Sequence, residues 1–172
     1  YGEYLAFRNG ERGEATLKDY LDDGGFPGAL REPASGPALL RELLRDVVHR
    51  DIVSRHELSA SRPLMTLALH LLAHPGQPLS LQALTKGLAL PSVAQTGALV
   101  EYLQDAWLLL AVPRFSTKFT QRVVSPPKYY AVDTGLAAAN SPNPTPDHGR
   151  KLENAVALHL RRGGEAPTFA AA

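Results

Sequence analysis

The side chains here with chemistry to offer are few: six histidines, no cysteine, and one cluster of cations among aromatics. His70 and His74 stand four apart, the spacing that puts two imidazoles on one face of a helix, as in a two-histidine metal site. Leu71, Leu72 and Ala73 lie between them, and no glutamate or third ligand is placed nearby. The pair therefore reads as a partly buried couple beside the turn at Pro75. His49, His56, His148 and His159 are isolated in sequence. Arg114, Lys118, Arg122 and Lys128 fall within fifteen residues that hold no acid, interleaved with Phe115, Phe119, Tyr129 and Tyr130. Cations on an extended hairpin can lie along a phosphate backbone, where each neutralised phosphate releases counterions. The competing reading is a solvated hairpin whose aromatics pack on neighbouring helices.

Absent motifs narrow the chemistry. There is no G-x-x-x-x-G-K-[ST] loop, no G-x-G-x-x-G, no G-x-S-x-G and no H-E-x-x-H. Zero cysteines removes disulfides, thiolate zinc sites and a cysteine nucleophile. This chain by itself is expected to carry no catalytic residue, no metal and no cofactor.

Those side chains need elements to position them. Thr16 is a candidate cap for a helix through "LKDYLDD", with Gly24 at a left-handed helix end and Pro27 holding Phe26 extended. Gly25 is not explained by a helix stop; it points to close approach of another backbone or of a ligand. A longer helix is expected over 37–53, with Leu40, Leu44, Val47 and Val48 on its apolar stripe and Arg41, Arg45, Asp46 and His49 outside it. "RPLMTLALHLLAH" reads as a helix ended by "PGQP". Ser80 caps "LQALTKGL", and Ser92 caps "VAQTGALVEYLQDAW", with Leu99, Leu103, Ala106 and Trp107 on the inner face of the latter. Two capped helices joined by so short a turn make a helix-turn-helix. Strand-like "LLLAVPRF" and "KYYAVD" follow, flanking the polar basic stretch, so three helices and a hairpin give the order of a winged helix. A short helix at "TGLAAAN", a Pro/Asn linker and an amphipathic helix at "KLENAVALHLRR", carrying Leu152, Val156 and Leu160, close the chain.

The second of the capped helices offers Gln95, Thr96, Glu101, Gln104 and Asp105, with no Lys or Arg, whereas arginine to guanine is the commonest specific base contact. DNA binding should therefore be weak and sequence-tolerant, within roughly 10⁻⁴ to 10⁻⁶ M. Four cations set a log-log salt slope no steeper than about −3.6. Charge balance agrees in sign. Residues 1–61 hold eight Lys+Arg against eleven Asp+Glu, residues 62–133 six against three, and the remainder four against three. Nothing approaches the ~18 consecutive apolar residues of a membrane span, so no membrane partner and a cytoplasmic location are expected. Both ends read as cut, the last residues stopping where a strand could start.

"LKDYLDDGGFPGAL", "LLRDVVHRDIV", "VPRFSTKFTQRVVSPPKYYAVDTGLAAA" and "GRKLENAVALHLRR" together resemble, in order and spacing, a domain of unknown function found C-terminal to the ATPase module of a prokaryotic AAA-type ATPase family. The resemblance covers nearly the whole chain. It implies a mainly α fold with a small β hairpin: the end of the ATPase module and lid-like helices at 1–61, a winged-helix domain at 62–133, and at 134–172 a linker with the first helix of a truncated PD-(D/E)XK-like domain. It implies that ATP and Mg belong to the ATPase core, which is absent here, and that this core is a partner. It places Arg50 where it could face nucleotide, an ion pair with a neighbouring acid being the blander account, and Glu153 at the first acid of a nuclease-like site. On this reading the GGFP corner is architecture. The expected role is accessory, coupling the core to a partner such as DNA; the alternative is a protein-protein interaction or oligomerisation module.

Overall fold

A computed structural model describes residues 1–142 and 147–170, so the middle of the Pro/Asn linker and the last two alanines lie outside the described residues. Three short N-terminal helices, α1 (Gly2–Arg8), α2 (Glu14–Asp23) and α3 (Pro27–Arg31), lead into α4 (Gly36–Asp46), which continues directly as a π-helical segment, Val47–Val53. Then come α5 (Arg62–Ala73), α6 (Leu81–Gly87) and α7 (Val93–Asp105). Strand β1 (Leu109–Val112), helix α8 (Phe119–Val124) and strand β2 (Lys128–Ala131) form a helix-tipped hairpin, followed by α9 (Thr134–Asn140) and α10 (His148–Arg162). The protein is mainly helical with one small two-stranded antiparallel sheet, in register Leu109 to Ala131 and Val112 to Lys128.

Local rules explain much of this. The Ser80 hydroxyl accepts from Ala83 N and that of Ser92 from Gln95 N, both at 3.1 Å, satisfying N–H groups that a helix start leaves unpaired. Leu40, Leu44, Val48 and Ile52 recur at four-residue steps along α4 and its π continuation and are all buried. They join one main core with Leu64, Leu67, Leu71, Leu99, Leu103, Tyr129 and Leu136. Segments 1–61, 62–133 and 134–172 therefore share a core.

The GGFP corner is built against α9. Gly24 sits at φ 77°, ψ −162°, a region essentially reserved for glycine, rather than at the left-handed helical angles expected of a simple helix end. A Cβ there would overlap Asp133 Oδ1 and come within 2.6 Å of Gly135 N. The Gly25 N–H donates to Asp133 Oδ2 at 2.6 Å, while Asp133 Oδ1 caps α9 by accepting from Leu136 N at 2.8 Å. Thr134 Oγ1 donates to Tyr20 O at 3.1 Å, and a Cβ on Gly135 would overlap the Asp23 carbonyl. Gly25 is thus explained by close approach of protein, not ligand. Burial pushes the Asp133 carboxyl up, and the N–H groups of Gly25, Leu136 and Gly135 offset this in part.

Three local expectations are corrected. Thr16 does not cap: α2 starts at Glu14, and the Thr16 hydroxyl turns back to the Glu11 and Gly13 carbonyls. Trp107 does not join the inner face of α7; it follows the helix end at φ 54° and is 72% exposed. Leu152, Val156 and Leu160 point outward, and α10 instead buries Asn154, Ala157 and Leu158. Asn154 decides that choice of face. Its carboxamide accepts from Ala131 N and donates to Ala131 O, both at 2.8 Å, closing the free polar groups of β2 as a neighbouring strand would. Among the described residues, no helix is long and apolar enough to cross a membrane.

Candidate functional site

The hairpin positions the expected cations in two groups. Arg114 follows Pro113 at the end of β1, Lys118 is the N-cap residue of α8, and Arg122 lies in its last turn. All three are exposed, and none has an acidic partner among the described residues. Lys128 differs. Starting β2, its side chain is only 19% exposed, with Nζ donating to Glu153 Oε1 at 2.7 Å and lying 5.0 Å from the Phe169 ring centroid.

Glu153 and Lys128, 25 residues apart in the chain, thus meet at one point. Tyr130 completes it, its hydroxyl donating to the same Oε1 at 2.7 Å. Partial burial pushes the Glu153 carboxyl up, but the bonds from Lys128 and Tyr130 and the charges of Lys128 and Arg150 outweigh it, so it is held below the usual carboxylate range. Burial first, and the glutamate second, raise the Tyr130 phenol well above its ordinary value. Gly76, in its positive-φ turn, presses on the carboxylate, and a Cβ there would lie 3.0 Å from Glu153 Oε2. Arg150 is held by Asp147 at 2.8 Å and, with the Gln77 carboxamide oxygen turned toward it, by Gln77.

Gly76, Gln77, Lys128, Arg150 and Glu153 rim a groove of about 540 Å³ whose lining also includes Arg114 and Phe169. Its walls come from backbone pairing at both hairpin edges. Gly76 N donates to Tyr129 O and Leu79 N to Pro127 O beside β2, while Phe115 N donates to Phe169 O and Phe169 N to Pro113 O at the far end of β1. Covered edges are poor templates for foreign strands, so what the hairpin presents outward is side chains.

The aromatics divide likewise. Tyr129 and Tyr130 are buried, while Phe115 is 61% exposed; the side chain of Phe119 lies outside the described residues. On α7, Thr96 is fully buried, its hydroxyl bonded to Thr85 Oγ1 at 2.8 Å and to Ser92 O at 2.9 Å, which leaves Gln95, Glu101 and Asp105 exposed. Arg50 projects from the π-helical segment with its Nε 3.4 Å from Asp46 Oδ1, the ion pair anticipated for it. His70 and His74 lie with ring centroids 4.4 Å apart and planes tilted by 32°, and His74 Nδ1 donates to His70 O at 2.7 Å. Burial, then the neighbouring His74, push the His70 imidazole down. Among the described residues no three His, Cys, Asp or Glu converge as a metal would require. The roles of Asp133 and Asn154 went unread in the sequence. For Asp133 the signal was its place just before a short helix, whereas nothing local points Asn154 at β2.

Residues 14–147, from the start of α2 to the residue before α10, match the model of a domain of unknown function, DUF8612. The chain belongs to this family. The contact between Gly24-Gly25 and Asp133-Thr134-Gly135 lies inside the DUF8612 match, while Glu153 and Asn154 lie beyond it. The uncharacterized protein MJ1544 of Methanocaldococcus jannaschii is 27% identical to this chain over 156 residues, which are 86% of the chain and 34% of that protein. The chain thus spans about a third of the length of that relative. No solved structure matches it.

Proposed function

We propose that this chain is an accessory module of a larger protein, and that it binds DNA weakly and without sequence preference through the outer face of its hairpin. The observation that carries this is the set of Arg114, Lys118 and Arg122, three exposed cations without an acidic partner among the described residues, projecting from one hairpin. A winged-helix reading of residues 62–133 is supported by the order α5, α6, α7, β1, α8, β2, in which a short helix tips the wing, and by the antiparallel pairing of the strands. Lys128, committed to Glu153, is left out of the contact set. No base-reading cation stands on α7, so the contacts are with phosphate and the affinity is salt-dependent.

The remaining context rests on the resemblance to the C-terminal region of an AAA-type ATPase. The module would pass the nucleotide state of that core to its partner in the cytoplasm. Catalysis and ATP-Mg binding would belong to the core rather than to this chain. A relative about three times the length of the shared region supports a multi-part protein. Glu153, which that resemblance puts at the start of a nuclease-like site, is assigned here to docking α10 on β2. Arg50 would then face the core only by leaving Asp46.

A protein-interaction reading has its own support in Trp107, Phe115 and Val124, apolar side chains exposed near the hairpin, and in the acidic outer face of α7. Fluorescence anisotropy with a labelled duplex separates the two. The triple variant Arg114→Glu, Lys118→Glu, Arg122→Glu should abolish binding by the folded chain. Binding that survives the triple reversal removes the hairpin from the account, and absence of binding by the unmodified chain at low salt favours the protein partner.

A further inference from the structure

A second concave surface lies away from the hairpin, between α4 and α5. Arg41, Arg45 and His49 follow one another at four-residue steps along the outer side of α4 and its π continuation, and facing them are His70 on α5 and His74 just past its end. The two rows line one groove of about 640 Å³, closed on a third side by Ala139 and Asn140 at the end of α9. No acid lines it. Of the acids in the neighbouring turns, Asp46 pairs with Arg50 and Asp51 with Arg55, while Glu42 is exposed and outside the groove lining. Among the described residues Arg45 and His49 have no ion-pair partner, while Arg41 donates to Ala139 O at 3.3 Å, which anchors its guanidinium at the rim.

We infer that this groove is a binding site for a small phosphorylated ligand carrying two adjacent phosphates. Arg41 and Arg45 stand one turn apart, about 6 Å along the axis, and guanidinium forks pair bidentately with phosphate oxygens. The imidazoles opposite supply further donors. Met65 and Leu69 form an apolar wall beside the cations, suited to the organic part of such a ligand. A concave site of this volume is of small-molecule size.

The histidines give the site a signature. With Nδ1 of His74 donating to the His70 carbonyl, its Nε2 carries a lone pair when the ring is neutral, and an anion beside it favours protonation. The charged or titratable groups facing this pair across the groove are Arg41, Arg45 and His49, while burial first and the neighbouring His74 second hold His70 below the usual imidazole value. A bound phosphate reverses that balance.

The test is an imidazole proton-carbon NMR titration of the whole chain with inorganic pyrophosphate, repeated with ADP. Saturable shifts of His49, His70 and His74, with upward movement of the His70 titration and no change at His159 on α10, are expected. Arg45→Gln, a substitution at an exposed side chain without an acidic partner, should weaken binding about tenfold or more. Arg122→Gln on the hairpin should leave it unchanged, which separates this site from DNA binding. Equal binding of pyrophosphate and ADP means that the diphosphate alone is read, and tighter ADP binding that the apolar wall contributes. No saturable shift at about 10 mM pyrophosphate, shifts shared by His159, or affinity indifferent to Arg45→Gln overturns the inference.

Discussion

Asn154→Ala removes one side chain and breaks two of the bonds that seat α10 on β2, the others being those from Lys128 and Tyr130 to Glu153. Ala131, the partner residue, is fully buried, so neither its N–H nor its carbonyl has water to turn to after the substitution. Leaving a buried backbone group unsatisfied costs about 1–3 kcal/mol. Two such groups, relieved in part by relaxation of the helix, give an expected loss of about 2–4 kcal/mol, a large share of the stability of a small domain. The loss should also be local. Asn154 lies outside the DUF8612 match, and the main core of Leu44, Leu67, Leu103 and Leu136 contains no residue of α10. Urea denaturation gives the magnitude, and amide hydrogen exchange gives the place: protection should fall in α10 and β2 while α5 and α7 keep theirs. A loss below about 0.5 kcal/mol, or exchange that rises uniformly, would refute the view that this carboxamide is a principal tie between α10 and β2.

Gly135→Ala sets a Cβ against the Asp23 carbonyl and should cost at least about 2 kcal/mol in thermal or urea unfolding, whereas Gly87→Ala, where a Cβ meets nothing within 4 Å, should stabilise α6 by about 0.4–1 kcal/mol. The Glu153 carboxyl is held below its usual 4.5, so the stability from its pairing with Lys128 is complete above pH 4.5 and is lost as pH falls through the lower folded value. Exchange protection of α10 should therefore decline in acid, and Glu153→Gln should remove that dependence. Asp133 runs the other way, because a carboxyl raised by burial favours the fold in its protonated form and that contribution fades as pH rises. A Gly25 amide resonance whose titration midpoint lies below the usual 3.8 would contradict that direction.

What the sequence discloses here is whatever is decided within a few residues. Ser80 and Ser92 announce helix starts because a cap needs only the next turn of backbone, and Leu40, Leu44 and Val48 announce a buried stripe because their helix has one apolar side. Where two faces compete, period alone does not choose. Leu152, Val156 and Leu160 form the more apolar row of α10, yet a single asparagine with a strand to pair with turns the helix the other way. Lys128 had the composition of a phosphate contact until Glu153, brought in by that same rotation, occupied it. Gly25 showed that something approaches closely, but that the visitor is Asp133, more than a hundred residues on, is a property of the packed fold. The groove between α4 and α5 stayed hidden because Arg41, Arg45 and His49 read singly as the solvated side of a packing helix, and their meeting with His70 and His74 needs the helix pair.

The measurement that bears most directly on function is the salt dependence of duplex binding by the unmodified chain. Three hairpin cations without an acidic partner among the described residues, Arg114, Lys118 and Arg122, predict a log-log slope of about −2.7, shallower than the −3.6 that four would give, with Lys128→Gln leaving it unchanged. No binding at low salt, or a slope near −3.6 that falls on Lys128→Gln, would contradict the account.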